Sequence, residues 1–243
     1  MEHGSEMVEE KQHVTCRRTC FCYDDTMLKH HNIFEDHPEK PERLSRTYER
    51  FKELNLNTRC SRVESRMASN DELLAVHSKE YIEKIRVLDD CVDEQLKSKA
   101  KYYDSIYFSH FTNECARMAV GCTLAVLDDV LSENTRNGIA IIRPPGHHAE
   151  HDFCMGYSYF NNVAIAAKIA QKKWNIKRVL IVDWDIHHGN GTQHTFQSDP
   201  SVLYFSIHRY DHGNFWPEKK YSDFDFVGKD EGEGYNINVA WNK

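Results

Sequence analysis

The feature of this sequence that most limits its fold is a series of short, almost continuous apolar runs separated by helical segments. The runs cover 139–142, 179–182, 202–207 and 235–239, and an alanine-rich segment at 161–173 lies between the first two. Runs without alternation are typical of parallel strands that are buried on both faces. Strands that alternate with helices therefore predict an α/β fold, with a parallel β-sheet flanked by helices.

The remaining elements are predicted from capping residues and helical spacing. Residues 1–18 are predicted to form a flexible N-terminal lead, and residues 19–243 contain no repeat or linker, so we predict one domain there. Cys20 to Tyr23 is predicted to be a short strand. A first helix is predicted to begin at Pro41, and a buried helix is predicted to cover 113–131. Between them, Asp71 is the predicted N-cap of a helix that runs through Val76, and Ser78 is the predicted N-cap of a helix that runs through Leu88.

Composition and charge exclude several classes of protein. The chain carries 31 lysines and arginines against 38 acidic residues, a net charge of −7, so we predict no direct binding to nucleic acid. No apolar stretch approaches the ~20 residues that span a bilayer, and the polar start from Met1 to Lys11 lacks the core of a signal peptide. We therefore predict no membrane association and a cytoplasmic or nuclear location.

The eight cysteines are expected to be free thiols in such a compartment. Cys16, Cys20 and Cys22 cluster, but they lack the paired spacing of a zinc finger. No metal is predicted there.

The first segment that carries chemistry is Arg143-Pro144-Pro145-Gly146-His147-His148-Ala149-Glu150-His151. It follows an apolar strand, where α/β proteins commonly place their sites. Two prolines and a glycine restrict the backbone, and two adjacent histidines follow. A rigid turn that presents paired histidines indicates a functional loop rather than an ordinary polar surface loop.

The second segment runs from Val182 to Gly191 and again follows an apolar run. Asp183, Asp185 and His187 alternate, so an extended chain would point them to one side. One carboxylate and one imidazole make half of a zinc site. The remaining carboxylate is expected to orient a histidine or to bind another cation.

Together these segments resemble the active-site signatures of the histone deacetylase family. The flanking stretches Asn190–Gln193 and Asp199–Tyr204 resemble its class II branch. Ser206–Tyr210 and Phe215–Pro217 most resemble the first catalytic domain of the tubulin-type deacetylases of class IIb. The resemblance covers nearly all of the chain from about residue 20, and it implies the arginase/deacetylase-type fold.

The resemblance also implies roles for the matching residues. Asp185 and His187 match two of the three zinc ligands of the family, and His147 and His148 match the tandem histidines that move protons beside the metal. Asp183 matches the carboxylate that orients the first histidine. Asn190 falls beside the second histidine, where class I enzymes carry an aspartate and class II enzymes a neutral side chain.

Further matches concern a monovalent cation and the substrate channel. Asp183, Asp185, His187 and Ser206 match the inner cation site, for which K⁺ is the expected ion. Phe196, Val202 and Tyr235 lie near the outer one, and Tyr157 and Trp216 match the aromatic walls of the acyl-lysine channel.

The implied activity is zinc-dependent hydrolysis of acetyl-lysine side chains on proteins such as tubulin or histones. Zinc lowers the pKa of a water ligand and polarises a carbonyl, and a neutral histidine, here His148, accepts the proton of the water. His147, oriented by Asp183, would be its electrostatic partner. A thin apolar channel suits the lysine stem.

Two motifs of the family do not occur in these 243 residues. They are a Gly-Phe-Asp segment with the third zinc ligand and a Gly-Gly-Tyr-type loop with an oxyanion-binding tyrosine. Asp211, Asp223, Asp225 and Asp230 are expected to be solvated loop acids instead. We therefore expect residues 19–243 to be the N-terminal part of a catalytic domain that is C-terminally incomplete, with weak zinc binding, impaired activity and an open apolar sheet face.

Two alternatives stay open. One is a truncated, non-catalytic binding or regulatory module. The other is a polyamine deacetylase of the same superfamily, although that branch carries a short Pro-Glu-Ala-Cys-Glu-type insertion that the stretch from Phe34 to Pro41 lacks.

Overall fold

The computed structural model describes residues 19–243, and their strands are all parallel. The predicted flexible lead and Cys16 lie outside the described residues. The strands are β1 (Thr19–Cys22), β2 (Ser61–Arg62), β3 (Asn137–Ala140), β4 (Val179–Asp183), β5 (Val202–Arg209) and β6 (Asn236–Trp241). The α-helices are α1 (Glu42–Glu53), α2 (Leu56–Arg59), α3 (Asn70–Leu73), α4 (Lys79–Arg86), α5 (Asp93–Ala100), α6 (Thr112–Leu131), α7 (Asn162–Trp174) and α8 (Asn190–Phe196).

The strands form two three-stranded parallel sheets rather than one. The first has the order β2-β1-β3 and the second the order β4-β5-β6. In the second sheet, Asp183 at the end of β4 is the register partner of Ser206 on β5. The prediction of an α/β protein with parallel strands flanked by helices is confirmed, and the described strands divide into two groups.

Helix α6 is the central layer of the core because it is buried on several sides. Val120 and Leu124 belong to a cluster with α4 and α7, while Cys122 and Val126 pack with β1 and α1 on the other side. A helix that is apolar around most of its circumference is expected to be buried in this way. Among the described residues, no helix combines the length and apolar composition needed to cross a membrane.

Within residues 19–243, β4 to β6 are not covered on both faces, which agrees with the expected open apolar sheet face and not with the two-sided burial that the apolar runs predict. Ile181 and Tyr204 are buried on the face that packs against the helices. Leu180 is 60% exposed and Val182 45% exposed on the other face, which the described helices do not cover. An apolar run therefore identified the strands, but it did not show which faces are covered.

Local capping chemistry decides two of the helix starts. Ser69 caps α3 by accepting from the Glu72 amide, and Glu72 accepts from the Ser69 amide, which completes a capping box. The cap predicted at Asp71 is wrong because Asp71 lies inside this helix. Ser78 caps α4 as predicted, since its hydroxyl accepts from the Tyr81 amide.

A buried ion pair supports the loop that follows β3. Arg143 is 2% exposed, and its Nη2 lies 2.6 Å from Glu39 Oε2. The same guanidinium donates to the carbonyls of Met27 and His30, and Nη2 lies 3.1 Å from the Tyr107 hydroxyl. Removal of one partner from such a pair leaves a buried charge without compensation. The pair therefore holds the base of the loop that carries the two histidines.

A buried histidine on the other side of this loop predicts a loss of stability in mild acid. His77 accepts from the Asn161 amide at Nε2 and bonds the His151 carbonyl through Nδ1, so it is neutral. Burial lowers the pKa of His77 to about 4. The unfolded chain takes up this proton near the ordinary pKa of about 6.5, so the stabilisation is complete above pH 6.5 and is lost as the pH falls towards 4.

We expect His77 to contribute about 3 kcal/mol to the pH dependence of unfolding between pH 6.5 and 4. The measurement is urea denaturation at both pH values for the wild type and for His77→Gln, which should lose less stability on acidification. His212→Gln is the control because that side chain is exposed. Equal acid sensitivity of the wild type and His77→Gln would contradict this prediction.

Candidate active site

Two loops at the carboxyl ends of β3 and β4 form one pocket. Its volume is 380 Å³, and it is lined by Arg43, Ser105, Pro145, His147, His148, Gly156, Tyr157, Asp185, Ile186, His187 and Trp216. The lining includes the predicted pair His147 and His148, the predicted pair Asp185 and His187, and the predicted aromatic walls Tyr157 and Trp216. β3 and β4 belong to different sheets, so this pocket forms where the carboxyl ends of strands from both sheets meet.

The first histidine of the loop after β3 contacts Asp183. His147 Nδ1 lies 2.8 Å from Asp183 Oδ2, and the same carboxylate oxygen accepts from the Tyr204 hydroxyl at 2.9 Å. Burial acts to lower the pKa of His147, but the hydrogen bond and charge of Asp183 outweigh it, so this pKa is raised. At Asp183, burial alone would raise the pKa, but the hydrogen bond and charge of His147 outweigh burial and lower it. The Asp183 carboxylate therefore shifts His147 towards its protonated form.

The second histidine has a different environment. His148 is 4% exposed, and its Nδ1 lies 2.8 Å from Asn190 Oδ1. Burial and then the neighbouring His147 hold the pKa of His148 well below its usual value. The two imidazole centroids are 3.9 Å apart. The environment thus favours the cationic form of one histidine and the neutral form of the other. Such a difference in pKa between neighbouring groups is common at sites of proton transfer.

Asp185 and His187 come together through turns, because the extended chain on which their predicted alignment depends ends at Asp183. β4 ends at Asp183, whose Oδ1 accepts from the Asp185 amide at 3.1 Å. Asp185 Oδ1 then accepts from the His187 amide at 2.8 Å. Each aspartate thus bends the chain two residues onward, as aspartates do in Asx-turns. The outcome is that Asp185 Oδ1 and His187 Nδ1 lie 3.1 Å apart beside the pocket.

This pair of donor atoms fits two positions of a zinc site. A tetrahedral zinc ion with bonds of about 2.0 Å separates neighbouring ligand atoms by about 3.3 Å. The hydrogen bond to His187 outweighs burial and lowers the pKa of Asp185, so its carboxylate is charged at neutral pH. Within residues 19–243, no group of three or more His, Cys, Asp or Glu side chains is arranged to hold a metal. The described residues therefore bring two candidate donor atoms together here.

Aromatic side chains enclose the two histidines. The Trp216 ring meets the His148 ring edge to face, with centroids 4.5 Å apart, and the Phe215 ring stacks on His187 at 5.1 Å. Tyr157 also lines the pocket. Gly156 cannot carry a side chain here, because a Cβ atom would lie 2.4 Å from the Trp216 ring and 2.6 Å from His148. The pocket therefore combines aromatic rings with the polar groups of His147, His148 and Asp185.

Asp104 is a contributor to these walls that the sequence analysis missed. Its Oδ2 accepts from Trp216 Nε1 at 2.7 Å, and its backbone carbonyl accepts from the Gly156 amide at 3.0 Å. The next residue, Ser105, accepts from the Tyr157 amide. One short loop therefore fixes both aromatic walls. No local pattern marks Asp104, because Trp216 lies 112 positions away in the sequence.

The predicted monovalent-cation residues are only partly brought together. Asp183 and Ser206 are adjacent across β4 and β5, but Ser206 Oγ lies 2.9 Å from His208 Nδ1. For the outer site, Phe196 and Val202 are buried and Tyr235 is 40% exposed. Both cation sites stay predictions. The predicted loop acids Asp211, Asp223, Asp225 and Asp230 do not line the pocket.

Comparisons with known proteins agree with this architecture. The histone deacetylase domain profile matches residues 37–243. The chain is 45% identical to polyamine deacetylase HDAC10 of Danio rerio over 224 residues, which is 91% of this chain and 33% of the relative. It is 43% identical to polyamine deacetylase HDAC10 of Homo sapiens, over 93% of this chain and 34% of the relative. It is 44% identical to histone deacetylase 6 of Caenorhabditis elegans, over 87% of this chain and 23% of the relative.

The chain spans about a third of the length of the first two relatives. Relatives named for polyamine and for histone deacetylation match at nearly the same identity, so the comparison does not separate these substrates. The profile match and these identities agree with the class IIb resemblance of the motifs, and the chain belongs to the histone deacetylase family.

Proposed function

We propose that this pocket hydrolyses the acetyl amide of acetyl-lysine side chains on proteins, with zinc as the metal. The observation that carries the proposal is the adjacency of two donors, Asp185 Oδ1 and His187 Nδ1, to a histidine pair at the base of an aromatic pocket. Asp185 and His187 would hold the metal as two of its ligands. When bound there, zinc supplies Lewis acidity that polarises a carbonyl and acidifies water.

The side chains of this chain divide the proton transfers between them. Neutral His148 accepts a proton from the attacking water and later gives it to the leaving amine. His147, paired with Asp183, presents positive charge beside the reacting carbonyl. Trp216 and Tyr157 contact the alkyl stem and exclude bulk water, which strengthens these electrostatic interactions. A thin chain with a terminal acetyl group is the substrate that this shape favours.

A side chain at the pocket favours a protein lysine over a free polyamine. The Arg43 guanidinium lies over the Tyr157 ring, 5.8 Å from its centroid, and lines the pocket. A free polyamine keeps further ammonium groups that would approach this cation, whereas the acetyl-lysine of an acidic protein surface would not. We propose cytoplasmic or nuclear proteins such as tubulin as the source of that lysine, whereas the basic tails of histones would fit this cation less well.

Polyamine deacetylation is the second candidate because two similar relatives carry that name. The test is to compare kcat/KM for an acetyl-lysine peptide and for acetylspermidine under one condition. Our proposal predicts a preference for the peptide, and Arg43→Gln should shift the ratio towards the polyamine. A preference for acetylspermidine that is unchanged in Arg43→Gln would overturn the substrate assignment. The absence of turnover with both would favour a non-catalytic binding role.

The hydrogen bond between Asp104 and Trp216 predicts a change in substrate binding. A hydrogen bond to a charged group contributes about 1.5–3 kcal/mol, and solvent exposure of Asp104 puts this one at the lower end, or about tenfold in affinity. We expect Asp104→Ala to raise KM about tenfold and to change kcat less. Asp104→Asn keeps an acceptor and should retain most of the affinity. Equal kinetic constants for Asp104→Ala and the wild type would show that Trp216 does not need this partner.

A further inference from the structure

A chain of hydrogen bonds leads from His148 to two residues that the mechanism above does not use. Asn190, which is fully buried, accepts at Oδ1 from His148 Nδ1. On its other side, Asn190 Nδ2 donates to Glu150 Oε1 at 2.5 Å. The second oxygen of Glu150 lies 2.8 Å from His194 Nδ1. The Glu150 side chain is 22% exposed and that of His194 31% exposed, so the chain ends near the surface.

The acceptors around Asn190 determine which way its amide points. The Nδ2 atom faces the Glu150 carboxylate, the His148 carbonyl at 3.4 Å and the Met155 sulfur at 3.4 Å. All three are acceptors, so an amide oxygen in this position would face them without a hydrogen bond. Among them, the charged carboxylate has the shortest contact and forms the strongest hydrogen bond. The amide oxygen must consequently face His148.

This orientation decides where His148 carries its proton. An amide oxygen only accepts, so Nδ1 of His148 must be the donor in the 2.8 Å contact. A neutral imidazole has one N–H, so Nε2 is left as a free base. No described residue bonds Nε2, and His148 lines the pocket. The tautomer needed for proton acceptance thus depends on an amide that has two possible orientations.

We propose that Glu150 is a positioning residue that fixes the tautomer of His148 through the amide of Asn190. An aspartate beside a histidine determines the tautomer directly, whereas an asparagine does so only when another group fixes its orientation. Glu150 supplies that group, and His194 holds the carboxylate in place from the surface side. The consequence for catalysis rests on the proposed function, while the tautomer itself is a property of the folded protein.

The first experiment removes the charge and keeps the shape, with Glu150→Gln. A glutamine can either donate or accept, so the amide of Asn190 is no longer confined to one orientation. Loss of an outer hydrogen-bond partner typically costs about 10- to 100-fold in activity, and we expect a decrease of this size in kcat with little change in KM. Asp152→Asn is the matched control, since it removes a charge from the same loop at a side chain that is 63% exposed.

The tautomer is measured directly by nitrogen-15 NMR of histidine-labelled protein, with the His148 ring assigned by its loss in His148→Phe. The wild type should show a protonated Nδ1 and a bare Nε2 over the neutral pH range, and Glu150→Gln should show a mixture. An unchanged tautomer in Glu150→Gln would overturn the inference, whether or not the protein hydrolyses any substrate. Failure of the proposed function would instead appear as absent turnover in the wild type with the tautomers still as expected.

A second pair of variants tests the route through the amide. Asn190→Asp alone places two carboxylates in contact and should lower kcat. Addition of Glu150→Gln to that variant exchanges the amide and the carboxylate, restores the total charge and should raise kcat. The same substitution should therefore have opposite effects in the two backgrounds. If Glu150→Gln lowers kcat by the same factor in both, Glu150 acts on folding or on another group, and the proposal is wrong.

Discussion

Replacement of His187 by alanine is expected to weaken zinc binding strongly and to reduce deacetylation to the background rate. His187 supplies one of the two donor atoms, 3.1 Å from Asp185 Oδ1, and the remaining carboxylate would hold the ion alone among the described residues. Changes to outer partners of metal ligands already cost about 10- to 100-fold in metal affinity, so loss of a ligand should cost more than 100-fold. Zinc is measured by elemental analysis after dialysis.

The matched control for this variant is His110→Ala. His110 also pairs with an aspartate, since its Nε2 lies 2.8 Å from Asp93 Oδ1, but this pair is exposed and outside the pocket. It should keep the zinc content and turnover of the wild type. Equal loss of zinc in both variants, or no loss in His187→Ala, would show that the metal is held elsewhere.

The second large effect is expected from His148→Phe, which keeps an aromatic ring against Trp216 and removes the base. A positioned general base contributes about 10²- to 10⁴-fold, so kcat should fall by a factor in that range while zinc content is unchanged. In the wild type, acid should reduce activity only well below the ordinary histidine pKa, because burial lowers the pKa of His148. The measurement is the pH profile of kcat/KM for both proteins. A decrease of less than tenfold would assign the base to another residue.

Much of the fold could be predicted because it depends on local patterns. The apolar runs located β4, β5 and β6 to within two residues at each end, and alanine-rich helical spacing located α7. β3 begins and ends two residues earlier than the run from 139 to 142, because its register is set by pairing with β1. Which face of a strand is covered depends on elements distant in sequence. The open side at Leu180 and Val182 therefore did not follow from the run itself, and it was expected only from the family motifs that do not occur in the sequence.

The residues of the site could also be predicted only where a local motif contains them. His147, His148, Asp185 and His187 stand in two dense motifs, and the pocket contains all four. The way in which Asp185 and His187 meet did not follow from alternation along a strand, because two hydrogen bonds from backbone amides to aspartate carboxylates replace the extended chain. Asp104 and Glu150 act through contacts with Trp216 and Asn190 that only the tertiary structure creates. Their sequence neighbourhoods give no signal of these partners.

We propose that this pocket is a zinc-dependent deacetylase centre built on Asp185 and His187. The most direct measurement is acetate release from an acetyl-lysine peptide by protein stripped with a chelator, before and after addition of zinc over a range of concentrations. We expect background release from the stripped protein, an increase that needs excess zinc because the described residues bring only two donors together, and no increase in His187→Ala. Full turnover by the stripped protein, or an increase with zinc that does not require His187, would show that the pocket is not such a centre.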